Sequence, residues 1–141
     1  MKGFTLIEFL LVVALVVTIS ASSIPFLARF FTQNAVSNMS DMLTGQLRKA
    51  QMYAMAGRQN NQWGVHRESN KLTLFQGNSY ATRVIAFDEN TTITSPVTVS
   101  GFTDIIFYHA TGTPSATAVI TINGNNNTDT ITINGQGVVS R

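Results

Sequence analysis

Glu8 is the one acidic residue that leads into an uncharged run, residues 9–28, and the next ionisable side chain is Arg29. A run of roughly 20 residues at ~1.5 Å each covers ~30 Å, the hydrocarbon thickness of a bilayer. A carboxylate at the entry of such a run costs free energy unless an opposite charge meets it, so its expected chemistry is pairing rather than proton transfer. The other groups able to do chemistry are few. The histidines are His66 and His109. Asp104 and His109 stand five apart in one expected strand, which sends them to opposite faces. His66 and Glu68 share a face but adjoin an expected turn. A metal or acid-base site from His66, Glu68 and His109 would need a tertiary coincidence. No phosphate loop, nucleophile elbow or Cys-His set is present, so a non-enzymatic protein without cofactor or metal is expected.

Two further sets were weighed against blander readings. Met39 with Met42, and Met52 with Met55, have the spacing of a soft-metal pair, but no cysteine or close histidine completes a ligand set, and core filling is expected. Arg48, Lys49, Arg58, Arg67, Lys71, Arg83 and Arg141, with Trp63 or Tyr80 for stacking, are the residues that would hold a DNA strand. Glu68, Asp88, Glu89, Asp104 and Asp129 nearly balance them, and the net charge is only +2 over 141 residues. Affinity for DNA grows with the phosphates neutralised, so DNA stands as the alternative partner and not the leading one. Trp63 itself is expected in the core.

The elements that must position these groups follow from periodicity. The run 9–28 is apolar all round a helix, with Leu10, Leu11, Val12 and Val13 in succession, so it is no stripe prepared for a soluble core. Pro25 lacks a backbone donor and is expected to kink the helix there, or else to end it. From position 30 the apolar residues Val36, Met39, Leu43, Leu47, Ala50 and Ala54 recur at spacings of three and four, the mark of an amphipathic helix. Gly57 suits a left-handed helix cap. One helix over 4–56 is expected. Thereafter short Val-, Ile-, Thr- and aromatic-rich runs read as strands at 62–67, 71–76, 82–87, 96–102, 104–109, 117–122, 129–133 and 137–140. Residues 68–70 fit a first hairpin turn, and Asn123-Gly124 with the asparagines after it a late one. With no crossover helix available the sheet is expected to be antiparallel. Zero cysteines leave burial and helix packing to hold it.

Gly3-Phe4-Thr5-Leu6-Ile7-Glu8 closely resembles the class III signal of type IV pilins and type II secretion pseudopilins. The stretches 47–51 and 56–58, Trp63-Gly64-Val65, 107–112 and 135–138 resemble the GspH/FimT branch of minor pilins. The resemblance implies an α+β fold, a long N-terminal helix packed on a C-terminal antiparallel head. It implies a leader at 1–3, an assembly half of the helix at 4–28, an amphipathic half at 29–56 and a β-rich head at 57–141. A prepilin peptidase would cleave between Gly3 and Phe4, and the new Phe4 amine would be methylated. The implied partners are other pilins or pseudopilins, that peptidase and methyltransferase, an inner-membrane assembly platform, and membrane lipid before assembly, with the head outside the cytoplasm. The DNA-binding members of the branch resemble one another in an arginine-bearing motif near the C-terminus, where this chain has Arg141 alone. Once Gly3 is removed, a neighbour's Phe4 amine is a cation at nearly the depth of Glu8, and pairing them offsets both desolvation costs. The two groups lie about one helical turn apart in one chain, so the pair would stagger neighbouring helices.

Overall fold

Val36, Met39, Leu43, Leu47, Ala50 and Ala54 all lie in one buried apolar cluster, and they come from a single helix, α1, Leu6–Met55. The computed structural model describes every residue except Met1, Lys2, Phe4 and Asn126, and within α1 it leaves out the side chains of residues 22–26 and of Ala28. Two compact units are distinguished, Met1–Phe31 and Thr32–Arg141. The helix assignment runs through position 25, so the alternative in which Pro25 ends the helix is not what is found. The helix closes where expected: the Gly57 N–H donates to the Ala54 carbonyl at 3.1 Å with Gly57 at φ 62°, a left-handed cap that a side chain would strain.

The second unit adds two antiparallel four-stranded sheets. The first has the order β3-β2-β1-β5, from β1 (Trp63–Arg67), β2 (Lys71–Gln76), β3 (Glu89–Thr92) and β5 (Asp104–Phe107). The second has the order β4-β6-β7-β8, from β4 (Thr98–Ser100), β6 (Ala118–Gly124), β7 (Asn127–Ile133) and β8 (Val139–Ser140). Alternation along each strand divides the residues. Ile120, Ile122, Ile131 and Ile133 turn inward from the second sheet, and Val65, Leu72, Leu74, Ile105 and Phe107 from the first. Trp63 is buried as expected, its indole N–H donating to the Arg58 carbonyl at 3.0 Å.

Strand β2 is buried on both faces, because residues 77–88 lie against its far side. Phe75 meets Tyr80 of that segment with ring centres 5.6 Å apart. Gly64 sits directly across from Phe75, and a Cβ there would stand 2.9 Å from the Phe75 ring and 2.7 Å from the Ile105 carbonyl oxygen. Only glycine leaves room for the ring.

Two expectations are corrected. Residues 82–87 are not a strand: Tyr80–Thr82 and Ile85–Phe87 are short 3-10 turns. Ser79 caps the first of them, and Arg83 closes on Asp88 at 2.8 Å, so local bonds fold the segment while Glu89–Thr92 takes the edge of β2. Met42, Met52 and Met55 are 49%, 54% and 50% exposed and fill no core; only Met39 falls on the buried stripe. The late hairpin between β6 and β7 falls within the expected asparagine stretch, Gly124 pairing with Asn127.

Leu47 is fully buried at the middle of the helix stripe. Leu47→Ala is expected to lower unfolding free energy by about 2–5 kcal/mol, read by urea denaturation of the full chain with Trp63 fluorescence; a loss below ~1 kcal/mol would mean that the stripe does not organise the core.

Candidate functional site

The leading part of α1 presents apolar side chains outward on every side. Leu10, Leu11, Val12 and Val13 are four successive exposed positions, and at ~100° per residue they encircle the axis. Glu8 is exposed at the start of this surface, its backbone N–H donating to Thr5 Oγ1 at 3.4 Å, and its carboxylate has no ion-pair partner among the described residues. Gly3 is exposed. Phe4, on which the cleavage and methylation readings rest, lies outside the described residues, as does the side chain of Pro25. Among the described residues no helix is long and apolar enough to cross a membrane. The expected span over 4–28 therefore does not carry over to them. Hydroxyls enter at Thr18 and Ser20, which donate back to carbonyls one turn earlier, and positions 22–26 fall outside the described side chains.

The densest polar cluster lies on the far face of the first sheet. Register sets His66 of β1 beside Asp104 of β5, with His66 Nδ1 2.6 Å from Asp104 Oδ1. Tyr80 stacks on the imidazole at 3.6 Å between ring centres, and the Arg83 guanidinium covers the other side of Tyr80 at 3.7 Å. The Tyr80 hydroxyl donates to Glu68 at 2.8 Å, and Lys71 stands 3.5 Å from the same carboxylate. Spacing along the strand separates Asp104 from His109 and puts His66 on the face of Glu68, and His66 Nε2 indeed stands 3.9 Å from Glu68 Oε1. The His66–Asp104 pair spans 38 positions and was not foreseen; only the register of β1 on β5 reveals it. His109 lies elsewhere, with Nε2 3.2 Å from the place a Cβ would take on Gly57. No group of three or more His, Asp or Glu able to hold a metal occurs among the described residues. The cluster has its hydrogen bonds turned on itself, with the histidine under a tyrosine, and what it does is fasten residues 77–88 to the sheet.

The basic residues proposed for DNA are each engaged. Lys49 meets Glu89 at 2.5 Å, Arg83 meets Asp88, and Arg141 meets both Asp41 at 2.7 Å and Asp129 at 2.5 Å. Arg48 donates to the Val139 carbonyl and Arg67 to that of Phe102. Arg58 stacks on Tyr53 at 4.1 Å. Lys71 keeps to Glu68. Trp63 is buried, and both faces of Tyr80 are covered, so neither offers a ring to an incoming base.

The geometry defines a class. A long helix whose rear part is buried against antiparallel sheets, with its leading part bare and apolar, is the pilin-like α+β arrangement. Its fold is similar to that of the minor pseudopilin EpsH from the type 2 secretion system of Vibrio cholerae, with a TM-score of 0.58 over 74% of this chain and 94% of that one, at 11% identity. No protein-family model and no curated protein sequence matches the chain.

Glu68 has its carboxyl held below the ordinary glutamate range, first by the Tyr80 hydroxyl, with partial burial opposing and Lys71 and His66 adding to the lowering. A depressed folded value contributes stability that is present above the unfolded value and lost as pH falls through the folded one. Tyr80→Phe removes the leading cause, and the Glu68 carboxyl carbon is expected to titrate at higher pH by NMR. An unmoved titration would remove that hydrogen bond from the account.

Proposed function

We propose that this chain is a non-catalytic structural subunit of a pseudopilus or related pilus, a minor pilin or pseudopilin, that assembles through the leading part of α1. The observation that carries the reading is the contrast along one helix. Residues from Val36 to Ala54 bury their apolar side chains in the protein's own core, while Leu6 to Ile19 expose theirs on all sides. Exposed aliphatic surface is unfavourable in water by about 25 cal/mol per Å². A helix covered on its whole circumference needs lipid or several neighbouring helices, and a filament core of like helices supplies the second. The pilin-like fold supports the same reading.

In this proposal Gly3 and Phe4 flank the cleavage point, and a prepilin peptidase and methyltransferase act there. Glu8 then meets the Phe4 amine of a neighbouring subunit. Pro25 loosens the helix where a backbone donor is missing. The subunit waits in the inner membrane with its head outside the cytoplasm, and an assembly platform draws it into the filament. The resemblance in 47–58, 63–65, 107–112 and 135–138 favours the GspH/FimT branch, and the likeness of the fold to a type 2 secretion pseudopilin supports a secretion machine.

Glu8→Gln and Glu8→Val are expected to cut incorporation into sheared filaments about tenfold or more, while the amount of chain in the membrane and the melting of the head stay as they were. Normal incorporation of Glu8→Val would overturn the pairing role, and loss of the chain from the membrane would show that Glu8 acts in insertion instead.

A further inference from the structure

The two sheets of the head are treated differently on their outer faces. Residues 77–88 cover that of the first sheet. The outer face of the second is bare among the described residues, and it is built almost wholly of short hydroxyl side chains. Thr98 and Ser100 of β4, Thr121 of β6, and Thr128, Thr130 and Thr132 of β7 all point outward. Ser100, Thr121 and Thr130 form one rung across three strands. A neighbouring rung continues to β8, where Thr132 Oγ1 lies 2.8 Å from Ser140 Oγ. Rungs of an antiparallel sheet repeat at ~6.8 Å along the strands, with ~4.8 Å from strand to strand, so the hydroxyls form a lattice in two directions.

No ionisable side chain stands on this face among the described residues. Asp129, the acidic residue of β7, has inward parity and is held by Arg141. At one end the face sinks into a shallow depression of about 190 Å³ lined by Thr117, Ala118, Val119, Thr132, Ile133 and Asn134. Ala118, Val119 and Ile133 are its apolar lining, Val119 being 61% exposed. Thr98 and Ser100 donate to strand carbonyls at 3.3 Å, which leaves their oxygens free to accept.

We propose that this face binds a neutral polysaccharide. A sugar ring offers an apolar C–H patch and a rim of hydroxyls that donate and accept. The depression offers Ala118, Val119 and Ile133 to one ring, and the rungs beyond it have matching hydroxyls, each with one donor and two acceptor positions. Threonine is stiff at χ1, so the lattice is ordered before any ligand arrives and little rotamer freedom is lost on binding. The absence of charge selects the partner. A nucleic acid requires cations, and none is here. A lipid surface or an apolar face of a second copy requires contiguous apolar area, and Val119 is isolated among hydroxyls.

The test uses the full chain in a detergent without a sugar headgroup, mixed with insoluble cellulose and with chitin as probes. Depletion from the supernatant by at least one of them, undiminished by added salt, is the expected result. Thr130→Glu and Thr121→Lys, which each place on the lattice a charge that a bound sugar would desolvate, are expected to lower retention roughly tenfold with unchanged melting. Thr130→Ser keeps the hydroxyl and is expected to retain binding, so a folding defect in either charged variant does not decide the matter. Absence of retention on both polymers overturns the proposal, as does equal retention of the charged variants. Self-association that these substitutions abolish would assign the face to a second copy, and salt-sensitive binding of single-stranded DNA would assign it to nucleic acid; either overturns the proposal too.

Discussion

The stripe from Val36 to Ala54 is the constraint on which the head depends. Both sheets send their inward residues into the same apolar cluster as this stripe, and no strand among the described residues belongs to both. Without cysteines there is no covalent staple, so the rear of α1 is what joins two small sheets into one core. A peripheral bond reinforces this. Arg141 reaches Asp41 and Ser37 on the helix and Asp129 on β7, tying β8 and its neighbour back to α1. Burial acts to raise the Asp129 carboxyl, but the Ser40 hydroxyl, the Thr130 N–H and Arg141 together hold it below its ordinary range.

The same helix has two unlike surfaces along its length, and the change falls near Phe31, where the division between compact units lies. Behind that point one apolar stripe is buried while the opposite face stays exposed, the pattern of a helix that has found its partner within the chain. Ahead of it, from Leu6 to Ile19, apolar side chains are exposed on every face, the pattern of a helix whose partner is elsewhere. Glu8 fits the second part. A carboxylate is tolerated in apolar surroundings when a cation satisfies it, and such a pair also fixes the axial position of one helix against another.

Much of this was legible in the sequence because it rests on local periodicity. The helix expected over 4–56 is found as Leu6–Met55, ended by the glycine that the left-handed cap requires. The antiparallel arrangement followed from short strands with no crossover helix between them. What was not legible depended on partners distant in the chain. Residues 82–87 have the Thr, Val, Ile and Phe content of a strand, yet Ser79, Arg83 and Asp88 bond locally and a polar run, Glu89–Thr92, pairs with β2 in its place. Met42, Met52 and Met55 looked like core because methionine is apolar, but their angular position on α1 faces away from the stripe. The His66–Asp104 pair was not legible, because spacing along a strand says nothing of the strand beside it.

The account turns on whether Glu8 has a cation to meet. While Gly3 is joined to Phe4 by a peptide bond there is no amine at Phe4, and the proposed pair cannot form. The most direct measurement is the intact mass of the chain taken from its native membrane. Loss of Met1, Lys2 and Gly3 with one added methyl is the predicted result, which creates the N-terminal cation at Phe4. A chain that keeps all three residues would contradict the account, leaving Glu8 without its proposed partner and α1 as a static anchor.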